Sequence, residues 1–435
     1  MFSIVLKAQE CPSSAGRSEG KEPMPSKTKV CNKKKMNKNI EQLYRIANKK
    51  ERLIIGLMSG TSLDGLDVAL CRFKGSGTET EIEIIFFESI AYADDFKKEI
   101  KSVFSKRTVD LEKVCLLNAW IAEQHAAIIN NCLQKWKIKN EDVDLIASHG
   151  QTIYHAPKIL HGIEKFPNAT LQIADGDHLA VKTGIITVSD FRQKHIAAGG
   201  EGAPLAVYGD YFIFSKQNED RIMLNIGGIA NFTYLPGNLN ADEVFSTDTG
   251  TGNTLMDAYI QKHFEGNYFD KDAAIAKQGN INQDLLKALK DHPFFKKDFP
   301  KTTGPELFNL EYIDTAKQRS NTQSISHFDT MTTLNRFTAD TIVAALQRTM
   351  NGKNDFIVYS SGGGMHNELL MQHIQQQIPN IIFKNINSLH VNPDAKEALL
   401  FAVLANECIC GGDVKFGKGK KGIPNVTMGK ISFPW

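Results

Sequence analysis

The chain reads as an α/β protein of two lobes with a ligand cleft between them. Three observations predict this: a length of 435 residues, too long for one ordinary core; apolar strand-like runs that alternate with helical patterns; and glycine-rich turns placed at the ends of those runs, where α/β proteins hold their ligands.

Composition narrows the function. Apolar residues make up 42% of the chain, and 51 Lys plus Arg nearly balance 49 Asp plus Glu, so neither nucleic acid nor an anionic membrane is called for. Seven cysteines without CxxC spacing argue against a disulfide framework and a Cys-based zinc site, and point to a reducing compartment. No stretch approaches the roughly 20 apolar residues of a membrane span, and the opening MFSIVL is too short for a secretory signal core. The expectation is a cytoplasmic protein.

Residues 1–50 read as a disordered leader, with a basic run from Lys27 to Lys38 and no apolar period before Ile40 to Ile46; Met24 and Met36 are alternative starts. From Arg52 the texture changes. LIIGLMSGTSLDGLDVALCRF is strand, glycine-bearing turn, strand, and EIEIIFFESIAYA follows as a third strand. LEKVCLLNAWIAEQHAAIINNCLQKW is helical, VDLIASHGQTIYH is a buried strand, and RIMLNIGGIANFTYL and DFIVYSSGGG are later strands ending in glycines. TLNRFTADTIVAALQRTM and AKEALLFAVLANECI close the chain as helices. The division expected is an N-terminal lobe over 51–215 joined by a helix at about 394–411, a C-terminal lobe over 216–393, and a tail over 412–435. Both lobes open with strand, glycine turn, strand, which suggests a duplication.

Four turns carry chemistry. The first joins two strands through Gly60, Thr61, Ser62, Leu63, Asp64, Gly65, Leu66 and Asp67; its glycines let backbone N–H groups approach a phosphate, and its hydroxyls add uncharged donors. Asn225, Gly227 and Gly228, then Asp248, Gly250, Gly252 and Asn253, repeat that chemistry. Gly362, Gly363 and Gly364 precede a helix, where a flat ring could lie on backbone. With no GxxxxGK[ST] in the chain, these turns point to a nucleotide held between lobes instead of a Walker loop.

Two further stretches suit a sugar and a proton transfer. SHGQTIYH ends a buried strand with hydrogen-bonding side chains, among them Gln151 and Thr152. Asp190 closes the apolar run GIITV and precedes Arg192 by two residues, a carboxylate and a guanidinium displayed at a strand end. Glu201, between Gly199, Gly200 and Gly202, reads as a flexible loop lining the cleft. In the last helix only Lys396 and Glu397 are site candidates. No HExxH or similar spacing marks a transition-metal site.

The blocks GLMSGTSLDGLD, SHGQTIYHAP, LQIADGDHLA, VSDFRQKHIAAGGEGAPL, LNIGGIANFTYL, STDTGTGN, YSSGGGMHN and NPDAKEALLFAVLANE resemble the anhydro-N-acetylmuramic acid kinase family, within the actin, Hsp70 and sugar-kinase superfamily. The resemblance implies a two-lobed actin-like ATPase (RNase H-like) fold with ATP in a central cleft. It also implies Mg²⁺, a small anhydro sugar as partner, and Asp190 as general base, with Asp190 and Glu397 near the metal; a homodimer is open. The implied reaction opens the 1,6-anhydro ring with water and phosphorylates O6. Two departures bear on metal handling: Met58 stands where the superfamily's first turn usually presents an Asp, and Asn225 where its second has an acid. The nearest alternative is a kinase of the same fold for another anhydro sugar such as levoglucosan; alternatives from other classes are a non-enzymatic ATP switch and a phosphohydrolase on the same scaffold.

Overall fold

A computed structural model describes residues 36–353, 355–389, 391–417 and 423–435. Two mixed sheets organise it. In the first, β1 (Glu51–Ser59), β2 (Gly65–Lys74) and β3 (Glu81–Ala91) form an antiparallel meander, and β4 (Leu145–Ala156) runs parallel to β1 on its other side. β5 (Ala169–Ile173) folds back on the end of β4, and β6 (Thr187–Ser189) lies parallel to β4. The second sheet repeats the plan. β7 (Arg221–Ile226), β8 (Ile229–Leu235) and β9 (Phe245–Thr251) form the meander, β10 (Ile357–Ser361) runs parallel to β7, and β11 (Ile382–Asn385) to β10. The shared order, with the fourth strand beside the first, supports the duplication suggested by the two strand, turn, strand openings. This is a two-lobed α/β architecture, as expected.

β1 is buried on both faces because helices cover both. On one side the helix Leu111–Trp136 packs Leu117, Ile121 and Ile129 against Ile55, Leu57 and Ile146, each buried side chain contributing about 1.5–3 kcal/mol. On the other lies the helix Lys396–Cys410, apolar nearly all round and buried from Ala398 to Glu407. It approaches so closely that a Cβ on Gly56 would meet the Ala398 carbonyl oxygen at 1.9 Å. The helix Ala206–Phe214 crosses it equally tightly, Gly209 against Leu400. One core runs from Ile54 and Ala147 through these two helices to Met223, Leu235 and Tyr359 of the second sheet, so the lobes share a packed base.

Two segments differ from expectation. Within the expected leader, Lys38–Ala47 form a helix capped by Asn37, with Ile46 buried in the shared core and Leu43 packed on it. Its short apolar stripe finds a partner surface that composition alone does not reveal; residues 1–35, with most of the basic run, lie outside the described residues. Within the expected tail, Lys430–Ser432 form β12, antiparallel to β6 at the sheet edge. No helix among the described residues is long and apolar enough to cross a membrane.

Candidate active site

The first turn is exposed at Thr61, Ser62 and Asp64, while Leu63 is buried with a left-handed φ of 61°, a backbone state that costs a non-glycine residue energy and that surrounding packing must hold. Beneath it runs a buried hydrogen-bond chain. Tyr92 Oη donates to Ser59 Oγ at 2.7 Å, and Ser59 Oγ donates to Gln151 Oε1 at 2.5 Å. Gln151 Nε2 in turn reaches the carbonyls of Gly60 at 3.4 Å and Thr152 at 3.3 Å. Since the Tyr92 proton is spent on Ser59, His125 Nε2 donates to Tyr92 Oη across 2.9 Å. Burial holds the His125 pKa down to about 3, so the ring is neutral. Gln151 is completely buried. Expected as a sugar contact, it supports the first turn through its amide. Thr152 is half-buried and accepts from Gln172 Nε2 at 3.2 Å.

In the C-terminal lobe three glycine turns interlock. The N–H groups of Gly252 and Asn253 donate to the carbonyls of Gly228 and Gly227, both at 2.8 Å, and a Cβ on Gly252 would meet the Gly227 oxygen at 2.2 Å. Gly362, at φ 82°, and Gly364 lie against Asn225 and Ile226 at distances that exclude a Cβ. Gly363 and Asn253 lie side by side on the wall of a cavity of about 480 Å³, lined also by Met256, Tyr268 and Phe269. Gly250 and Asp248 lie in β9, and Asp248 Oδ2 accepts from the Thr303 N–H at 2.8 Å. Burial, with Glu306 nearby, pushes the Asp248 carboxyl up to about 6 against the pull of Thr303 and Lys301.

Asp67 of β2 lies near enough to Glu397, at the start of the last helix, to act on its charge. Burial raises the pKa of both; Glu397 is raised further by Asp67, and Asp67 by Asp394, while Lys396 and Arg192 pull Glu397 the other way. Lys396 itself turns away from this site to pair with buried Asp210 at 2.8 Å, and Thr233 Oγ1 of β8 donates to the same carboxylate at 2.7 Å. That ion pair ties the two crossing helices to the second sheet. Arg192 donates from Nε to His149 Nε2 at 3.0 Å and from Nη1 to the Gly202 carbonyl at 2.7 Å. Burial lowers Arg192 to about 10 against the pull of Glu397. Burial, then Arg192, holds His149 down to about 3, so it is a neutral acceptor. Gly202 N–H also donates to His195 Nδ1 at 2.9 Å, which fastens one end of the Glu201 loop.

Asp190 sits where β6 ends, at φ 53° and ψ 52°, a left-handed state that Asp tolerates better than most residues. Its Oδ2 pairs with Lys430 Nζ of β12 at 2.5 Å. Both line a cavity of about 510 Å³ at the ends of β4 and β6, with Ser148, His149, Gln172 and Asp175 on its walls. Asp190 and Glu397, both expected near the metal, have different charged neighbours, Lys430 for Asp190 and Asp67 for Glu397. Among the described residues no group of three or more His, Cys, Asp and Glu could hold a metal ion.

Residues 52–426 match the family model described as anhydro-N-acetylmuramic acid kinase. A protein of that name from Pseudoalteromonas atlantica is 58% identical over 400 residues, covering 92% of this chain and 100% of its own. Another, from Caldanaerobacter subterraneus subsp. tengcongensis, is 39% identical over 396 residues, covering 90% and 100%. The chain belongs to the anhydro-N-acetylmuramic acid kinase family. The family match spans both lobes and every turn described above, and it stops short of Lys430.

Sequence reasoning missed Tyr92, His125 and Lys430. Tyr92 follows an apolar strand and His125 lies on the buried stripe of a long helix, where each reads as core. Lys430 lies 240 residues from Asp190 and carries no local signal.

Proposed function

We propose that the protein is an ATP-dependent kinase that opens the 1,6-anhydro ring of 1,6-anhydro-N-acetylmuramic acid with water and phosphorylates O6, giving N-acetylmuramate 6-phosphate and ADP. The observation that carries this reading is Asp190, a carboxylate in a left-handed strand-end position at the mouth of a polar cavity, in a chain of this family.

In the reaction, Asp190 takes a proton from water as the water oxygen bonds to C1. The C1–O6 bond breaks, O6 bonds to the γ-phosphorus, and the bond from that phosphorus to the β,γ-bridging oxygen breaks as ADP leaves. A single carboxylate suffices, and no covalent enzyme intermediate is needed. The turns at residues 60–67, 225–228 and 248–253 would border the phosphates, and Gly362 to Gly364, beside the 480 Å³ cavity, the adenosine. Arg192, rigidly held by His149 and Gly202, would position a sugar or phosphate oxygen, with Thr152 behind it.

Mg²⁺ would stand near Glu397 and Asp190, with Asp67 close enough to Glu397 to act on its charge; burial raises the pKa of Asp67 and Glu397. Their raised proton affinity is what a nearby cation would relieve, and with too few protein ligands for a closed site, phosphate oxygens and water would complete its shell. When bound, the ion supplies neutralisation of phosphate charge. We place the reaction in the cytoplasm, where ATP is available, with a small sugar and no nucleic acid or membrane as partner; a homodimer is compatible with it.

The test is to incubate the protein with ATP and a panel of anhydro sugars in ¹⁸O-water and to analyse products by mass spectrometry. The reading expects a 6-phosphate of N-acetylmuramate with one ¹⁸O at C1. Phosphorylation of neutral anhydro sugars such as levoglucosan only, or ATP hydrolysis without sugar phosphate, would refute it.

A further inference from the structure

We infer that Lys430 selects for an acidic substrate: its ammonium receives the carboxylate of the incoming anhydro sugar acid and, in doing so, lets go of Asp190. This rests on the kinase reading above and adds the group that recognises the substrate's lactyl carboxylate.

The geometry builds from β12. Antiparallel pairing sets Lys430 opposite Ser189 and Ile431 opposite Val188, so a backbone ladder carries the ammonium to the residue beside Asp190. The 510 Å³ cavity is walled by three carboxylates, Asp175, Asp177 and Asp190. Asp175 is committed to its helix N-terminus, accepting from the N–H groups of Asp177 and His178. His149, on the same wall, is neutral. Among the described residues lining the cavity, Lys430 is therefore the one cation, and without it the walls would repel an acid. Its side chain is 61% exposed, that of Asp190 26%. An ion pair so open to water is worth little, so exchanging one carboxylate partner for another costs little. An Asp190 oxygen bonded to an ammonium is occupied; once the substrate's carboxylate takes the ammonium, that oxygen can accept a proton from water. A neutral anhydro sugar makes no such exchange.

The experiment compares the full-length wild type with Lys430→Met and Lys430→Arg. The substrates are 1,6-anhydro-N-acetylmuramic acid and its lactyl amide, which has nearly the same shape and no charge, at saturating ATP. A charge-assisted contact corresponds to about 10- to 100-fold in affinity. The expected result is that wild type prefers the acid by that factor in kcat/KM, that Lys430→Met brings the ratio of acid to amide close to one mainly through KM for the acid, and that Lys430→Arg restores the preference. Thermal melting of each variant reports whether β12 stays docked. Loss of activity on acid and amide by the same factor would overturn the proposal and leave Lys430 as a fastening for Asp190 and β12. An unchanged ratio in Lys430→Met would overturn it too. If wild type phosphorylates neither compound, the kinase reading falls and this proposal with it, an outcome distinct from an active wild type whose selectivity ignores Lys430.

Discussion

Tyr92 donates its hydroxyl proton to Ser59 at 2.7 Å and so stands at the centre of a one-directional chain from His125 to the carbonyl of Gly60. Tyr92→Phe removes that link and leaves the His125 N–H without its acceptor in a buried site. The expected cost is about 1–3 kcal/mol, together with weaker ATP binding, because the chain supports the turn that receives phosphate. Denaturant unfolding and ATP titration check this together. A destabilising variant in the same core but outside the chain, Ile129→Val, should keep wild-type ATP affinity; if both lose ATP equally, the chain serves stability alone.

Two glycines make opposite predictions. A Cβ on Gly60 would find no atom closer than Ser62 Oγ at 3.5 Å, so Gly60→Val should fold like wild type while its side chain blocks phosphate approach. Gly252→Ala would drive a Cβ to 2.2 Å from the Gly227 oxygen and should cost about 1–3 kcal/mol, in the range of overpacking changes. Melting curves and ATP Kd separate the two; a Gly60→Val protein that binds ATP normally would reduce the first turn to a hairpin.

Asp190→Asn keeps volume and removes the base. The pair with Lys430 is open to solvent, so stability should change by no more than about 1 kcal/mol, while kcat falls about 10²- to 10⁴-fold. Turnover within a few-fold of wild type, with both ligands bound, would exclude Asp190 as the base.

Stability of the C-terminal lobe should fall with rising pH between about 4 and 6. Burial raises Asp248 from 3.8 to about 6, and burial, then Asp270, raises Asp257 from 3.8 to about 6. A carboxyl whose folded pKa is raised stabilises the fold while it stays protonated, fully below pH 3.8, and that contribution is lost as pH passes through 6. For Asp248 it amounts to about 2–3 kcal/mol. Asp248→Asn should therefore stabilise the protein at pH 8 and change little at pH 4. Equal effects at both pH values would show that Asp248 ionises in the fold as it does in the unfolded chain.

Ile46 anchors the helix Lys38–Ala47 in the shared core. Ile46→Ala should lower stability by about 2 kcal/mol or more, read by urea unfolding. A neutral result would return residues 38–47 to the leader.

Much of the site was legible locally. Strand periods, glycine turns and the placement of Asp190 after an apolar run are properties of short windows, because side-chain alternation and glycine's backbone freedom act over a few residues. From those windows, and from a resemblance carried by eight short blocks, came the two-lobed α/β fold and the interlocking turns Gly227, Gly252 and Gly362. What only the tertiary structure decided were partnerships between distant residues. Gln151 has the composition of a sugar ligand, yet packing buries it under the first turn. Lys396 and Glu397 are neighbours in one helix, and the fold sends one to Asp210 and the other toward Asp67. Lys430 became Asp190's partner because an edge strand added at the end of the chain places backbone against backbone, and no local pattern records which edge a short strand will join.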